Sequence, residues 1–437
     1  MNYESILSKL GIAELNKMQK EALEAISNHN DVVLVSPTGS GKTLAFLLPC
    51  LPFLDSKNEN IQLLVIVPTR ELAIQIEQVF KKITTDFKVN SCYGGHSVGI
   101  EENNLAQPPA VLIGTPGRIS HHLRRKNISL DSAQTLILDE FDKSLEAGFD
   151  DEMTYIISQC PHLKKRILTS ATALADIPAF VGLKKKTELN YISGNETGKA
   201  SLKLKSVRVT GDDKLEALLF LLGETGHDST IVFCNHREAV NRISEQLRDY
   251  KIDHGFYHGG LDQIDREKTL IKLRNQSIKI LITTDLAARG LDIPEIATVI
   301  HYQMPLTEDV MIHRNGRTAR MNAEGTVIFL LDTDDHLPKF LDMIPEEMAL
   351  PSKLILPKKS EWSTLYISAG KKDKINKMDI VGMLIQKGML QKDEIGKIEV
   401  LDHSAYVAVK AAKIHKTLQL IKEEKIKNKK VKTELST

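Results

Sequence analysis

The segment Ser36-Pro37-Thr38-Gly39-Ser40-Gly41-Lys42-Thr43 carries the groups that a polyphosphate needs. Its glycines let consecutive backbone N–H groups turn inward, Lys42 can reach β- and γ-phosphates, and the Thr43 hydroxyl can ligate Mg²⁺. Ser36 stands where the general pattern of such loops begins with glycine. A second reactive pair, Asp139-Glu140, closes the apolar run Leu136-Ile137-Leu138. Carboxylates at the end of a core strand suit metal binding by Asp139 and orientation of an attacking water by Glu140. The third group is His313-Arg314-Asn315-Gly316-Arg317-Thr318-Ala319-Arg320, with three arginines within seven residues. Arg317 and Arg320 share a face if this segment is helical. An arginine finger from a second unit would stabilise charge on a transferring phosphoryl group and make hydrolysis depend on closure. A solvated basic helix is the plainer alternative.

These side chains need elements to position them. Asp31–Val35 reads as a buried parallel strand, and Leu44–Leu48 continues from Lys42 as a helix stopping near Pro49. The helix N-terminus adds positive dipole where the phosphates sit. Short Val/Ile/Leu runs recur at 32–35, 63–67, 111–114, 136–138 and 167–169, each followed by a turn and a helical pattern. That alternation predicts a parallel sheet covered on both faces, with ligands at the strands' C-terminal ends. Residues 193–201 are small and polar, a linker. A second alternating set follows, with strands at 206–209, 231–234, 279–283, 298–301 and 326–330. Residues 351–359 form a second expected linker. The last stretch reads β-α-β-β-α-β: strand 364–368, helix 377–387, strands 395–400 and 405–409, a helix from Ala412 to about Glu424, and a strand near Lys430–Leu435. That order belongs to the ferredoxin-like sandwich of RNA-recognition modules, among others.

The 437 residues suit several soluble domains, with 42% hydrophobic and 26% charged residues. The net charge of +1 is unevenly spread: residues 358–437 hold 18 Lys, no Arg and 10 acids, net +8, leaving −7 before them. An acidic body with a basic tail suggests a polyanionic partner for the tail. Cys50, Cys92, Cys160 and Cys234 are far apart and suit reduced, buried thiols of a cytosolic protein. The N-terminus lacks a basic n-region and an apolar h-region. The longest apolar stretch, Leu44–Leu54, is too short for a membrane span. Lys184-Lys185-Lys186 reads as a solvated charge run, and His121-His122 shows no metal pattern.

From about residue 10 to 330 the chain resembles a DEAD-box RNA helicase, with motifs in family order. Gly11 through Gln19 resembles the adenine-reading Q motif. Pro68-Thr69-Arg70-Glu71-Leu72-Ala73, Gly94-Gly95 and Thr115-Pro116-Gly117-Arg118 resemble RNA-binding motifs, and Ser170-Ala171-Thr172 the motif coupling hydrolysis to strand separation. Ile231-Val232-Phe233, Gln263 with Arg266, Thr284-Asp285 and Arg289-Gly290-Leu291-Asp292 resemble motifs of the second unit, and His313–Arg320 the arginine-finger motif. The resemblance implies two tandem RecA-like parallel-sheet domains and an RNA-dependent ATP hydrolase using ATP and Mg²⁺. It implies adenine recognition by Gln19 and nucleotide contacts from Ser36, Thr38, Gly39, Ser40, Gly41, Lys42 and Thr43. It further implies metal binding by Thr43 and Asp139, water orientation by Glu140, a ribose contact at Asp292, and γ-phosphate fingers at Arg317 and Arg320. Thr69, Arg70, Gly95, Thr115, Arg118, Arg266 and Thr284 lie in motifs implied to grip the RNA backbone; Asp142, Ser170 and Thr172 are implied to couple the two activities. Hydroxyls, arginines and backbone N–H groups of this kind contact phosphates without reading sequence. The bound strand is bent in this family, and with stacking at roughly 1.4 kcal/mol per step only a few base pairs are lost per event. The namesake tetrapeptide reads Asp139-Glu140-Phe141-Asp142, with phenylalanine for the usual alanine. The Q motif has Ile12 for its aromatic and Leu15 for its proline.

Residues 364–434 resemble the C-terminal RNA-binding domain of the DbpA group of bacterial DEAD-box helicases. Gly370-Lys371-Lys372-Asp373-Lys374-Ile375, Asp379-Ile380-Val381-Gly382, Ile395-Gly396-Lys397-Ile398, Tyr406-Val407-Ala408-Val409 and Lys425-Ile426-Lys427 carry the match. This implies an RRM-like α+β domain tethered to large-subunit (23S) ribosomal RNA in a pre-ribosomal particle. Tyr366 and Tyr406 occupy positions suited to stacking bases, and Lys371, Lys372, Lys397 and Lys427 are the expected loop and edge contacts. Trp362 is expected to pack. The domains expected are 1–195, 205–350 and 363–437, in a cytoplasmic monomer with no membrane partner. The rival readings are an ATP-dependent RNA clamp with little unwinding and a DNA helicase or translocase.

Overall fold

The computed structural model describes residues 3–436 apart from 38, 96–97, 175, 193–201, 210–213, 289–292, 295, 320–323, 342 and 351–352. The first expected linker therefore lies outside the described residues, as do the candidate site residues Thr38, Asp292 and Arg320. The chain splits into two compact units, the first within its N-terminal 199 residues and the second holding the rest of the described chain.

In the first unit, strands β1 (Asp31–Val35), β2 (Leu63–Ile66), β3 (Val89–Cys92), β4 (Val111–Gly114), β5 (Thr135–Leu138), β6 (Lys165–Ser170) and β7 (Lys186–Asn190) form one sheet. Its order is β3-β4-β2-β5-β6-β1-β7 and every pairing is parallel. The inner strands are buried along their whole length, which is why they read as unbroken apolar runs. Alternate residues feed two cores. Val32, Leu34, Val65 and Ile137 pack with helices α1 (Tyr3–Leu10), α2 (Lys17–Asn28), α3 (Lys42–Cys50) and α4 (Arg70–Ile83). Val33, Val35, Leu64 and Leu138 join the other core, which also takes residues of α5 (Val98–Leu105), α6 (Pro116–Arg124), α7 (Phe141–Glu146) and α8 (Asp150–Ser158). Lys186 of the expected charge run begins edge strand β7, and the Lys184 and Lys185 N–H groups donate to Asp31.

The second unit repeats the plan. Strands β8 (Leu202–Arg208), β9 (Thr230–Phe233), β10 (His254–Tyr257), β11 (Ile280–Thr283), β12 (Thr298–His301), β13 (Gly325–Leu331) and β14 (Glu346–Glu347) are ordered β10-β11-β9-β12-β13-β8-β14, all parallel. Its helices are α9 (Lys214–Thr225), α10 (Arg237–Asp249), α11 (Gln263–Arg274) and α12 (Glu308–Asn315).

The same unit holds a small antiparallel sheet of β15 (Trp362–Ile367), β16 (Ile395–Val400) and β17 (Ala405–Lys410), completed after the hairpin β18 (Lys425–Ile426)–β19 (Lys429–Lys430) by β20 (Thr433–Leu435). Its order, β16-β17-β15-β20, is that of the RRM-like fold, with α13 (Lys377–Gln386) and α14 (Ile414–Ile421) closing its core. The last helix stops at Ile421, short of Glu424, and the hairpin fills the gap before a shorter final strand.

The second face of this sheet is covered too. Thr364, Tyr406 and Ala408 on it are buried, and its bonds run to the C-terminal end of α11 and the turn that follows. Both nitrogens Nε and Nη2 of Arg274 donate to Glu399 at 2.8 Å, and the Ser277 and Thr364 hydroxyls meet at 2.7 Å. The described part of the second expected linker, residues 353–359, forms with Ser360 a strap packed on the second unit. A Cβ on Gly223 would stand 1.9 Å from the Ile355 carbonyl oxygen, and Ser360 Oγ donates to the Gln276 carbonyl.

Candidate functional site

The phosphate loop follows β1 directly. The Ser36 N–H donates to the Ser170 carbonyl at the end of β6, and Ser36 Oγ donates to Ser40 Oγ at 2.8 Å, so serine at the loop's first position ties the loop to itself. Gly39 and Gly41 sit at φ of 82° and 90°, the left-handed region that favours glycine. Lys42 folds back over the loop, its Nζ donating to the carbonyls of Ser36 (2.5 Å) and Pro37 (3.2 Å). Thr43 lies in the first turn of α3. Gln19 and Asn16 cap α2 reciprocally, and Gln19 Nε2 also donates to the Gly41 carbonyl at 3.2 Å while Asn16 Nδ2 donates to the Ser40 carbonyl. The expected adenine reader is thus placed as a clasp on the loop.

Asp139 and Glu140 follow β5, with Glu140 in the left-handed region at φ 48°. The Thr169 hydroxyl and the Glu140 N–H both donate to Asp139 Oδ1. Burial pushes the Asp139 carboxyl above its ordinary range, against the Thr169 hydrogen bond and the Lys42 charge that pull it down. A hydroxyl and a carboxylate are hard oxygen donors suited to Mg²⁺, which takes few protein ligands and completes its shell with water and phosphate. Phe141 is fully buried in the core. The next residue is linked to the other two residues expected to couple the activities: Thr172 Oγ1 donates to Asp142 Oδ2 at 3.2 Å, and the Thr172 N–H donates to Ser170 Oγ. The bulky residue beside it leaves Asp142, Ser170 and Thr172 together.

The first unit's candidate RNA contacts also gather. The Thr69 hydroxyl caps α4 by accepting the Leu72 N–H, and Thr115 holds the N-cap position of α6 without a side-chain cap bond. The Arg70 guanidinium lies 4.7 Å over the Tyr93 ring, close enough to Gly95 that a Cβ there would stand 2.7 Å from Nη1. Arg118 Nε donates to Glu101 Oε2 at 2.6 Å. Glu101 carries no motif label in the sequence; its role is visible only once α5 and α6 pack.

In the second unit α12 ends at Asn315, so Arg317 lies in the following turn, and Arg320 lies outside the described residues. Glycine at 316 caps the helix. Arg314 is fully buried, bonded to Asp285, Asn235 Oδ1 and the Gln303 carbonyl, and so holds three segments together. Arg266 sits in α11, and Thr284 lines an open groove with Asn235, Arg237, His258 and Gly260.

In the small domain Lys371 and Lys372 are exposed in a tight turn, and Lys427 Nζ donates to the Lys374 carbonyl, bringing turn and hairpin together. Lys397 lies on edge strand β16, 3.6 Å from Glu399. Tyr406 must be corrected. It is buried beside Tyr366, with ring centroids 5.3 Å apart, on the face whose Glu399 and Thr364 bond Arg274 and Ser277, so its ring offers no open surface for a base. Burial also pushes its hydroxyl pKa up, helped by Tyr366 and the α11 acids Glu267 and Asp265. Trp362 packs as expected, with Lys410 Nζ 4.4 Å from its ring. All four cysteines are free and buried. No helix among the described residues is long and apolar enough to cross a membrane.

Family models for the DEAD/DEAH box helicase, the helicase conserved C-terminal domain and the DbpA RNA binding domain match residues 16–179, 213–322 and 364–435. The chain is 32% identical over 432 residues to the ATP-dependent RNA helicase DbpA of Escherichia coli K12, covering 97% of this chain and 94% of that one. It is 30% identical over 468 residues to the DbpA of Bacillus subtilis 168, covering 98% and 95%. The fold is similar to Saccharomyces cerevisiae Dbp5 bound to RNA and ADP BeF3, with a TM-score of 0.69, 24% identity, and 79% of this chain and 93% of that chain covered.

Proposed function

From the premise that this chain belongs to the DEAD/DEAH box family of ATP-dependent RNA helicases, in its DbpA type, we propose that it unwinds short RNA duplexes locally while its small domain holds large-subunit (23S) ribosomal RNA. The observation that carries this reading is a chain of hydrogen bonds through Ser170: the Ser36 N–H of the Lys42 loop donates to the Ser170 carbonyl, the Thr172 N–H donates to Ser170 Oγ, and Thr172 Oγ1 donates to Asp142, while the adjacent Thr169 hydroxyl donates to Asp139. Nucleotide chemistry and the coupling motif share a scaffold.

ATP binds with its phosphates on residues 36–43, and Mg²⁺ is held by Thr43 and Asp139. Glu140 orients the attacking water, and Arg317 and Arg320 stabilise charge on the γ-phosphate; Asp292 contacts the ribose. Thr69, Arg70, Gly95, Thr115, Arg118, Arg266 and Thr284 grip the RNA backbone. Lys371, Lys372 and Lys427 hold the ribosomal RNA, with Lys397 at the sheet edge. The working domains are 1–195, 205–350 and 363–437, in a cytoplasmic monomer acting on a pre-ribosomal particle. The intact Asp142–Thr172 contact favours unwinding over a passive clamp.

The test is the ATPase rate with no nucleic acid, ribosomal RNA, unrelated RNA and DNA, for the full chain and for the triple variant Lys371→Ala, Lys372→Ala, Lys427→Ala. The variant is preferred to truncation because removing the small domain would strip α11 of its cover. Selective stimulation by ribosomal RNA, lost in the variant, is the expected result. Equal stimulation by any RNA, unchanged in the variant, overturns the tether, and no stimulation overturns the helicase mechanism.

A further inference from the structure

We propose that Glu101 is the positioning residue that locks the RNA-gripping segments of the first unit into one rigid surface, an inference that rests on the reading of Arg70, Gly95 and Arg118 as RNA contacts. Glu101 lies in α5 and is 3% exposed. Its Oε1 accepts the Tyr93 N–H at 3.1 Å, and its Oε2 accepts Arg118 Nε at 2.6 Å and His122 Nε2 at 2.7 Å. One carboxylate therefore ties the end of β3 to α6.

Each tie leads to a candidate contact. Tyr93 directly precedes Gly94-Gly95, and its ring carries the Arg70 guanidinium at 4.7 Å. Arg70 Nη1 also reaches the Gly94 carbonyl at 3.5 Å. Arg118 is held to Glu101 through its Nε at the base of the guanidinium. Three separate chain segments are thus registered through one buried group.

His122 completes the lock. Asn127 Nδ2 donates to His122 Nδ1 at 3.1 Å and to Glu102 Oε1 at 3.1 Å, so the Nε2–H of His122 is left to donate to Glu101. The carboxylate charge is then balanced chiefly by Arg118. Burial alone would raise the Glu101 pKa, but the hydrogen bonds from His122, Arg118 and Tyr93 outweigh it and hold the carboxyl below its ordinary range. A group kept ionised in the interior has to keep its partners in place, because an unpaired buried charge is costly. Phosphate contacts dominate affinity for nucleic acid and depend on salt, so fixing two arginines and a glycine turn acts directly on RNA affinity.

The experiment compares Glu101→Gln, Glu101→Asp, Arg118→Ala and the double variant Glu101→Gln/Arg118→Ala in the full-length protein, titrating single-stranded RNA at several salt concentrations. Half-saturating RNA is read from ATPase stimulation, half-saturating ATP from the same assay, and folding from the melting temperature. The expected result is a rise of about tenfold in half-saturating RNA for Glu101→Gln and a salt slope shallower by roughly one phosphate contact, about 0.7 for single strands. Half-saturating ATP changes less than twofold, Glu101→Asp recovers most of the RNA affinity, and the double variant loses less RNA affinity than the product of the two single losses, the part that remains beyond Arg118→Ala being the Tyr93–Arg70 arm. If Arg118→Ala itself leaves RNA affinity and salt slope unchanged, the underlying reading of the grip fails. If Arg118→Ala weakens RNA binding but Glu101→Gln does not, or the two effects simply add, the positioning role of Glu101 is overturned. A fall in melting temperature and in ATP affinity together, with the salt slope unchanged, also overturns it, and Glu101→Asp gives the same decision if Glu101→Gln fails to fold.

Discussion

Phe141 and Phe180 meet edge to face, their ring centroids 6.5 Å apart and their planes at 65°, in the core that also holds Met153 and Leu138. The phenylalanine that replaces the usual alanine of the namesake motif is therefore a core residue, while the neighbouring Asp142 keeps its bond to Thr172. Phe141→Ala restores the family's usual residue but leaves a cavity. The expected cost is about 3–5 kcal/mol in stability of the first unit, as for other buried aromatic truncations. Denaturant unfolding followed by a probe in that unit checks this. An unchanged midpoint would show that the ring fills no space that matters.

Gly41 has no room for a side chain. Its φ of 90° disfavours any Cβ, and one built there would lie 2.4 Å from Gln19 Nε2. Gly41→Ala is expected to cost about 1–2 kcal/mol in backbone strain and to push Gln19 off the Gly41 carbonyl. Gln19→Ala removes the clasp without the strain. Both are expected to raise half-saturating ATP, the glycine variant more, and nucleotide titration without RNA is the measurement. Equal ATP affinity in Gln19→Ala and the parent protein would mean the clasp does not preorganise the loop.

Asp139 is a buried carboxyl whose ionised form burial disfavours. Its folded-state pKa lies above the unfolded value of about 3.9. The folded protein therefore binds the extra proton, and the stability this contributes is fully present below about pH 3.9 and is lost as pH rises through the folded pKa. Asp139→Asn cannot ionise and keeps an oxygen to accept from Thr169 and Glu140. Without Mg²⁺ and nucleotide, the variant is expected to melt above the parent at neutral pH, with the difference shrinking as pH falls, while its ATPase is lost. A melting difference that grows on acidification would contradict the assignment.

The legibility of this molecule in its sequence follows burial. Inner strands such as Leu63–Ile66 and Leu136–Leu138 are enclosed on both faces and read plainly as apolar runs. Edge strands β3, β7 and β10 carry residues such as Asn90, Lys186 and His254, and nothing in that pattern separates them from loops. The phosphate loop and the Asp139-Glu140 pair are local in sequence and were visible for that reason. The Gln19–Gly41 clasp spans 22 positions and the Glu101–Arg118 bond 17, so both required the packing of separate helices. Tyr406 shows the converse. Its alternation on β17 marks the sheet's outer face correctly, but only tertiary structure reveals that this face is buried and bonded to Arg274 and Ser277 at the end of α11 and just after it.

The cover on that face rests on the bidentate pair Arg274–Glu399, in which both side chains are less than one-fifth exposed. Bidentate geometry and partial burial make such a pair stronger than an open surface ion pair. Arg274→Glu replaces it with two like charges and is expected to loosen the small domain from α11. The strap that includes Lys358 and Lys359 then loses the support of the Ser360–Gln276 hydrogen bond, and trypsin reaches it. Weakening the docking by about 1.4 kcal/mol raises the undocked fraction tenfold, and cleavage at these lysines is expected to accelerate by a similar factor. Tyr406 becomes open to nitration in the same sample. Adding Glu399→Arg restores an opposite-charge pair and should return both readouts towards the parent. If cleavage and nitration are unchanged by Arg274→Glu, the apolar and hydroxyl contacts around Thr364 hold the domain without the ion pair.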